Sequence, residues 1–137
     1  MTRKKVLVAD DNDHNRELAR QCLADGFTVL LARDGSSALE LARSGRPDLV
    51  LLDLSMPRMN GFDVARALKA DPETARISLV ACTAHAMAGD RERALAVGFD
   101  GYLAKPYRPR ELVSFVEDFL GKGVPDQGSS DDWTVKS

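Results

Sequence analysis

Residues 49–52, Leu-Val-Leu-Leu, run without a polar interruption into Asp53, and Leu54-Ser55-Met56-Pro57 follow. A strand with one solvated face alternates apolar and polar residues. An unbroken apolar run of this length suits a strand buried on both faces, as at the centre of a parallel sheet. Pro57 lacks a backbone N–H and enforces a loop soon after. Asp53 therefore stands at the carboxyl end of the strand, the edge where open α/β sheets bind their ligands. A lone carboxylate beside a core is costly, so the rest of the chain has to supply its partners.

The flanking sequence repeats one strand-then-helix unit. Lys4 to Ala9 reads as a first strand, and Asp10-Asp11-Asn12-Asp13 as a polar turn that starts a helix. Leu18, Cys22 and Leu23 recur at helical spacing up to Gly26. Phe27 to Ala32 is a second strand, and Ala38, Leu41 and Ala42 mark the inner face of a second helix. After the central strand, Asn60-Gly61 opens a third helix with Val64, Ala65 and Leu68 on one side. Ile77 to Cys82 is a fourth strand closed by Thr83, and a fourth helix runs from about Ala86 to Val97, stopped by Gly98. Gly101 to Ala104 is a short fifth strand ended by Lys105-Pro106. Leu112, Phe115, Val116 and Phe119 trace a fifth helix. Five such repeats predict a parallel sheet with helices on both faces.

The chain's 137 residues suffice for one domain with a proper core. A net charge of −2 favours neither nucleic acid nor an anionic membrane, and no apolar stretch approaches spanning length. Cys22 and Cys82 each lie inside an apolar pattern and read as reduced, buried thiols of a cytosolic protein. Residues 1–121 form the predicted domain. Residues 122–137, rich in Gly, Ser, Asp and Lys, read as a flexible tail that carries the lone Trp133.

Four strands end on polar residues: Asp10 and Asp11 after the first, Asp53 after the third, Thr83 after the fourth and Lys105 after the fifth. Singly, each has an ordinary reading as a cap, a β-branched strand residue or a surface lysine. In a parallel sheet they share one edge. Clustered carboxylates repel unless a cation joins them or a proton is taken up. Hard oxygen ligands of this kind suit Mg²⁺, which keeps several waters and often shares its sphere with a phosphate. Lys105 can neutralise a phosphoryl oxygen and Thr83 can donate to another. The pattern is that of a site holding a phosphoryl group on a carboxylate, and aspartyl-phosphate formation is established chemistry.

Val-Leu-Val-Ala-Asp10-Asp11-Asn12, Leu-Leu-Asp53-Leu-Ser-Met-Pro57-Arg-Met-Asn-Gly61, Cys-Thr83-Ala84-His85 and Gly-Tyr102-Leu-Ala-Lys105-Pro106 closely resemble the motifs of response-regulator receiver domains of two-component signalling. The resemblance covers about residues 3–120. It implies the flavodoxin-like fold with sheet order 2-1-3-4-5, the order of the family's chemotaxis receiver. It further implies Asp53 as phosphoacceptor, with Asp10, Asp11, Asp53 and the carbonyl of Ser55 at a Mg²⁺ ion. Thr83, Lys105 and the N–H groups of Ser55 and Ala84 would contact the phosphoryl group, and Thr83 and Tyr102 would form the conformational switch. Ser55 and His85 occupy two variable positions beside the site. The implied partners are a sensor histidine kinase or histidine phosphotransfer protein, and a downstream protein docking on the fourth helix, fifth strand and fifth helix. The implied protein is a cytoplasmic single-domain regulator, or a receiver excised from a larger chain.

Two other classes are weaker. A small-substrate aspartyl-phosphate hydrolase usually needs a second acid close after the nucleophile, and here Leu54 and Ser55 follow Asp53 without a cap-sized insertion. A flavin or nucleotide module needs a Gly-, Ser- or Thr-rich first turn to cradle phosphate, whereas Asp10-Asp11-Asn12-Asp13 would repel phosphate without a metal.

Overall fold

The computed structural model describes residues 3–56, 59–84 and 89–123. Ten elements alternate along it: β1 (Lys5–Ala9), α1 (Asp13–Leu23), β2 (Thr28–Ala32), α2 (Gly35–Gly45), β3 (Leu49–Asp53), α3 (Gly61–Ala70), β4 (Ser78–Thr83), α4 (Asp90–Val97), β5 (Gly101–Ala104) and α5 (Pro109–Leu120). The five strands form one parallel sheet in the order β2-β1-β3-β4-β5. This is the fold and strand order that the motifs imply.

The unbroken apolar run of β3 has a direct explanation. All five of its residues are buried, because the sheet has a core on each face. Val50 and Leu52 join Leu7, Leu79 and Ala81 beneath α2, α3 and α4, packing with Ala38, Ala42, Val64, Leu68 and Ala94. Leu49 and Leu51 join Val6, Val8, Val80, Cys82 and Leu103 beneath α1 and α5, with Ala19, Leu23, Leu112 and Val116. Successive strand residues point to opposite faces, so a strand between two cores has no position for a polar residue until it ends.

Helix starts are set locally. Asn12, Asp34 and Asn60 cap α1, α2 and α3 by accepting hydrogen bonds from the N–H groups of Asn15, Ser37 and Asp63. In α5, Pro109 occupies the first turn, and the Arg108 N–H donates to Glu111 Oε1 at 2.7 Å. By contrast, α4 has only eight residues and starts after Gly89, with no side-chain cap.

Some boundaries differ from the sequence reading. β1 and β2 begin one residue later, at Lys5 and Thr28. Thr83 is the last residue of β4, not the residue that closes it, since its β-branched side chain suits the pleat and pairs with Ala104. The described part of α4 begins at Asp90; Ala86 lies outside the described residues. Cys22 is half-buried rather than buried, because α1 turns Ala19 and Leu23 inward and leaves Cys22 at the rim. Cys82 is buried as expected, and both thiols are free.

Candidate functional site

The carboxyl edge of the sheet gathers the acids. Asp10 follows β1 directly, and its N–H donates to the Ala32 carbonyl of β2 at 3.1 Å. Asp53 closes β3, the neighbouring strand. Oxygen atoms of Asp10, Asp11 and Asp53 lie within 4.8 Å of one another. Asp10 and Asp53 are each only 4% exposed, whereas Asp11 is exposed at the mouth. Lys105, just beyond β5, reaches back across the sheet. Its Nζ donates to Asp10 Oδ2 at 2.5 Å and to Asp53 Oδ2 at 3.4 Å. The lysine backbone is fixed by its N–H donating to the Thr83 carbonyl at 2.8 Å, and the Lys105–Pro106 peptide is cis.

The two oxygens of Asp53 have different partners. Oδ1 accepts from the N–H and from the hydroxyl of Ser55, both at 3.0 Å. Oδ2 faces Lys105. Asp10 is divided in the same way, with Oδ1 accepting from the Asn12 N–H at 2.9 Å and Oδ2 from Lys105. The turn after Asp53 is tight because α3 abuts it. A Cβ on Gly61 would lie 2.7 Å from the Asp53 carbonyl oxygen and 2.9 Å from Leu54 Cα.

Burial pulls the Lys105 ammonium toward neutrality, but its hydrogen bond to Asp10 and the charges of Asp10 and Asp53 outweigh that, and its pKa is raised. The side chain stays a cation. Cys82 pairs in register with Asp53, and its thiol is pushed up to about 12 by burial. Lys105 opposes that shift, and Asp53 and Asp10 reinforce it. The thiol is therefore neutral at ordinary pH and is not a nucleophile here.

Every described residue singled out from the sequence lies on or near this edge. Thr83 is buried at the end of β4, and exposed Ala84 follows it. Tyr102 pairs with Ala81 two register steps below the Thr83–Ala104 pair. It packs against the α2, α3 and α4 core, with its phenolic oxygen buried and lacking a hydrogen-bond partner among the described residues. His85, Pro57 and Trp133 lie outside the described residues. One contributor was missed. The Arg16 guanidinium donates to the Asp10 carbonyl at 2.7 Å. The available signal was a cation near the start of α1, where the helix dipole disfavours positive charge.

Three carboxylates against one ammonium leave an excess of negative charge that a divalent cation matches. All the donors are hard oxygens, and one acid faces solvent where hydrated Mg²⁺ would enter. The residues present fit Mg²⁺. When bound, such an ion would supply Lewis-acid charge stabilisation to a phosphoryl oxygen.

The fold and cleft together define an α/β protein of flavodoxin-like topology with an acidic, cation-adapted strand edge. A family model of the response regulator receiver domain matches residues 6–117, and the chain belongs to that family. It is thus a phosphoryl-accepting signalling domain. It is 38% identical over 119 residues to the polar-differentiation response regulator DivK of Brucella anthropi, covering 86% of this chain and 97% of that one. Among solved structures, the chemotaxis protein CheY4 of Vibrio cholerae superposes with a TM-score of 0.83 at 30% identity, covering 87% of this chain and 100% of that one. The receiver domain of the sensor histidine kinase PA1611 of Pseudomonas aeruginosa superposes at 0.79 with 32% identity, covering 88% of this chain and 100% of that one; it holds a magnesium ion in its active-site cleft.

Proposed function

We propose that this protein accepts a phosphoryl group from a histidine kinase or phosphotransfer protein onto Asp53 and signals through the changed surface. The supporting observation is the placement of Asp53 Oδ2, directed at the Lys105 ammonium beside Asp10 and Asp11. In the transfer, an Asp53 carboxylate oxygen attacks phosphorus as the bond from phosphorus to the donor imidazole nitrogen breaks. The electron pair leaves with the imidazole, and no proton has to be removed from the carboxylate. Ser55 holds the other oxygen and thereby fixes the carboxylate plane. Lys105 offsets charge on the transferring group, and the small Ala84 leaves space for it. Thr83 and the N–H groups of Ser55 and Ala84 are the further phosphoryl contacts, and Asp10, Asp11, Asp53 and the Ser55 carbonyl the Mg²⁺ ligands. The loop bearing Asp53 offers no second acid for hydrolysis of small substrates, so the chemistry is confined to the protein's own phosphorylation and dephosphorylation.

The switch pairs Thr83 with Tyr102, and the reporting face is α4, β5 and α5. The domain is residues 1–121, with 122–137 as a tail. Neither nucleic acid nor membrane is a partner, and the cytoplasm is the compartment; no helix among the described residues is long and apolar enough to cross a membrane. Incubation with phosphoramidate and Mg²⁺ tests the reading, since this donor carries the same class of P–N bond as phosphohistidine. The parent should gain one phosphoryl group by intact mass, and Asp53→Asn none. Equal labelling of both proteins would remove Asp53 from the role.

A further inference from the structure

We propose that Arg16 is a positioning residue for the cation-binding acids: it fixes the Asp10–Asp11 peptide and so sets the direction in which Asp11 enters the cleft. The proposal rests on the reading of Asp11 as a Mg²⁺ ligand. Arg16 Nη1 donates to the Asp10 carbonyl oxygen at 2.7 Å. Nη2 donates to the Asp13 carboxylate. The arginine side chain is 14% exposed and that of Asp13 is 92% exposed, so the anchored end of this group is the one on the Asp10 carbonyl.

A peptide unit is planar, so pinning the carbonyl oxygen of Asp10 also pins the nitrogen and Cα of Asp11. That matters because Asp11 has little else to direct it. Among the described residues, no hydrogen bond holds its carboxylate. Asp10 is fixed independently, by Ala32 through its N–H, by Asn12 through Oδ1 and by Lys105 through Oδ2. Arg16 therefore acts on the one acid of the three that is exposed and otherwise unheld. Its place near the positive end of α1 works against the helix dipole. The neighbouring carboxylates offset that cost. A reading of Arg16 as merely half of a surface ion pair is weak, since an exposed i,i+3 pair contributes little.

Mg²⁺ titration by calorimetry of the full chain tests this with Arg16→Gln, Arg16→Lys and Asp13→Asn, alongside the ¹⁵N resonance of the Asp11 amide. Arg16→Gln should weaken Mg²⁺ about tenfold, as loss of a group that orients a ligand does, and should shift the Asp11 amide. Arg16→Lys keeps one donor and should recover part of the affinity. Asp13→Asn should stay within about twofold of the parent. Parent-like Mg²⁺ affinity and an unmoved Asp11 amide in Arg16→Gln would overturn the proposal. A loss in Asp13→Asn as large as in Arg16→Gln would also overturn it, by assigning the effect to the ion pair. Should Arg16→Gln not fold, Arg16→Lys decides by the same two readouts. Failure of the parent itself to bind Mg²⁺ would instead overturn the metal-site reading on which the proposal stands.

Discussion

Asp10 and Asp53 are buried carboxylates held close together by one ammonium. Removing a partner from such a group is costlier than removing the whole group, because charge is left uncompensated. Lys105→Met should therefore lower stability in metal-free buffer by about 3 kcal/mol, and saturating Mg²⁺ should recover part of that loss by binding only the folded state. Urea unfolding with and without Mg²⁺ measures both. The pH dependence follows from the raised pKa of Lys105. A lysine whose folded value lies above its ordinary 10.5 contributes stability that is fully present below that value. The contribution is lost as pH rises through the folded value. The parent should lose this component only in strongly alkaline buffer, and Lys105→Met should lack it at every pH. Asp10, Asp11, Asp53 and Lys105 were legible in the sequence because each is a polar residue that ends an apolar run. Arg16 was not, because its role depends on a main-chain carbonyl, and a cation near the start of α1 was the one faint signal of it.

The helices that flank the cleft are anchored unequally. α3 begins hard against the Asp53 turn, and Gly61 makes that approach possible. α4 begins after Gly89, whose φ is +91° and around which a Cβ would meet nothing within 4 Å among the described residues. Alanine at the two sites should therefore behave differently. Gly61→Ala forces a backbone clash at the turn and should cost about 1–3 kcal/mol, with weaker Mg²⁺ binding as Asp53 moves. Gly89→Ala meets only the cost of positive φ, about 1 kcal/mol, and should leave Mg²⁺ affinity unchanged. Thermal unfolding and Mg²⁺ titration of the pair separate the two, and equal effects on Mg²⁺ would contradict the close docking of α3. The sequence located α3 well, because Asn60, Gly61 and the Val64, Ala65, Leu68 stripe all agree. The signal for α4 was weaker, since that helix buries only Ala94 and lacks a side-chain cap, and the start expected near Ala86 lies outside the described residues. Thr83 was read as a stop because it is polar, yet its β-branched shape keeps it in the strand.

Across the whole molecule, the doubly covered sheet is what makes the chemistry possible. Parallel strands deliver all their carboxyl ends to one edge, so side chains separated by up to 95 residues in sequence, as Lys105 and Asp10 are, meet in one cleft. The architecture was legible because the unalternating β3 run and five strand–helix repeats leave few other solutions. Which β3 residues face which of the two cores was not, since an unbroken apolar run does not say which residue faces which layer. The central claim is that this edge exists to carry a phosphoryl group on Asp53. It is tested most directly by phosphorylating the unmodified chain with phosphoramidate and Mg²⁺, reducing it with borohydride and sequencing its peptides by mass spectrometry. Reduction converts an aspartyl phosphate to homoserine at the residue that carried it. The account predicts homoserine at position 53 alone, appearing only when Mg²⁺ is present. Homoserine at Asp10 or Asp11, or an unmodified position 53 in phosphorylated protein, would contradict it.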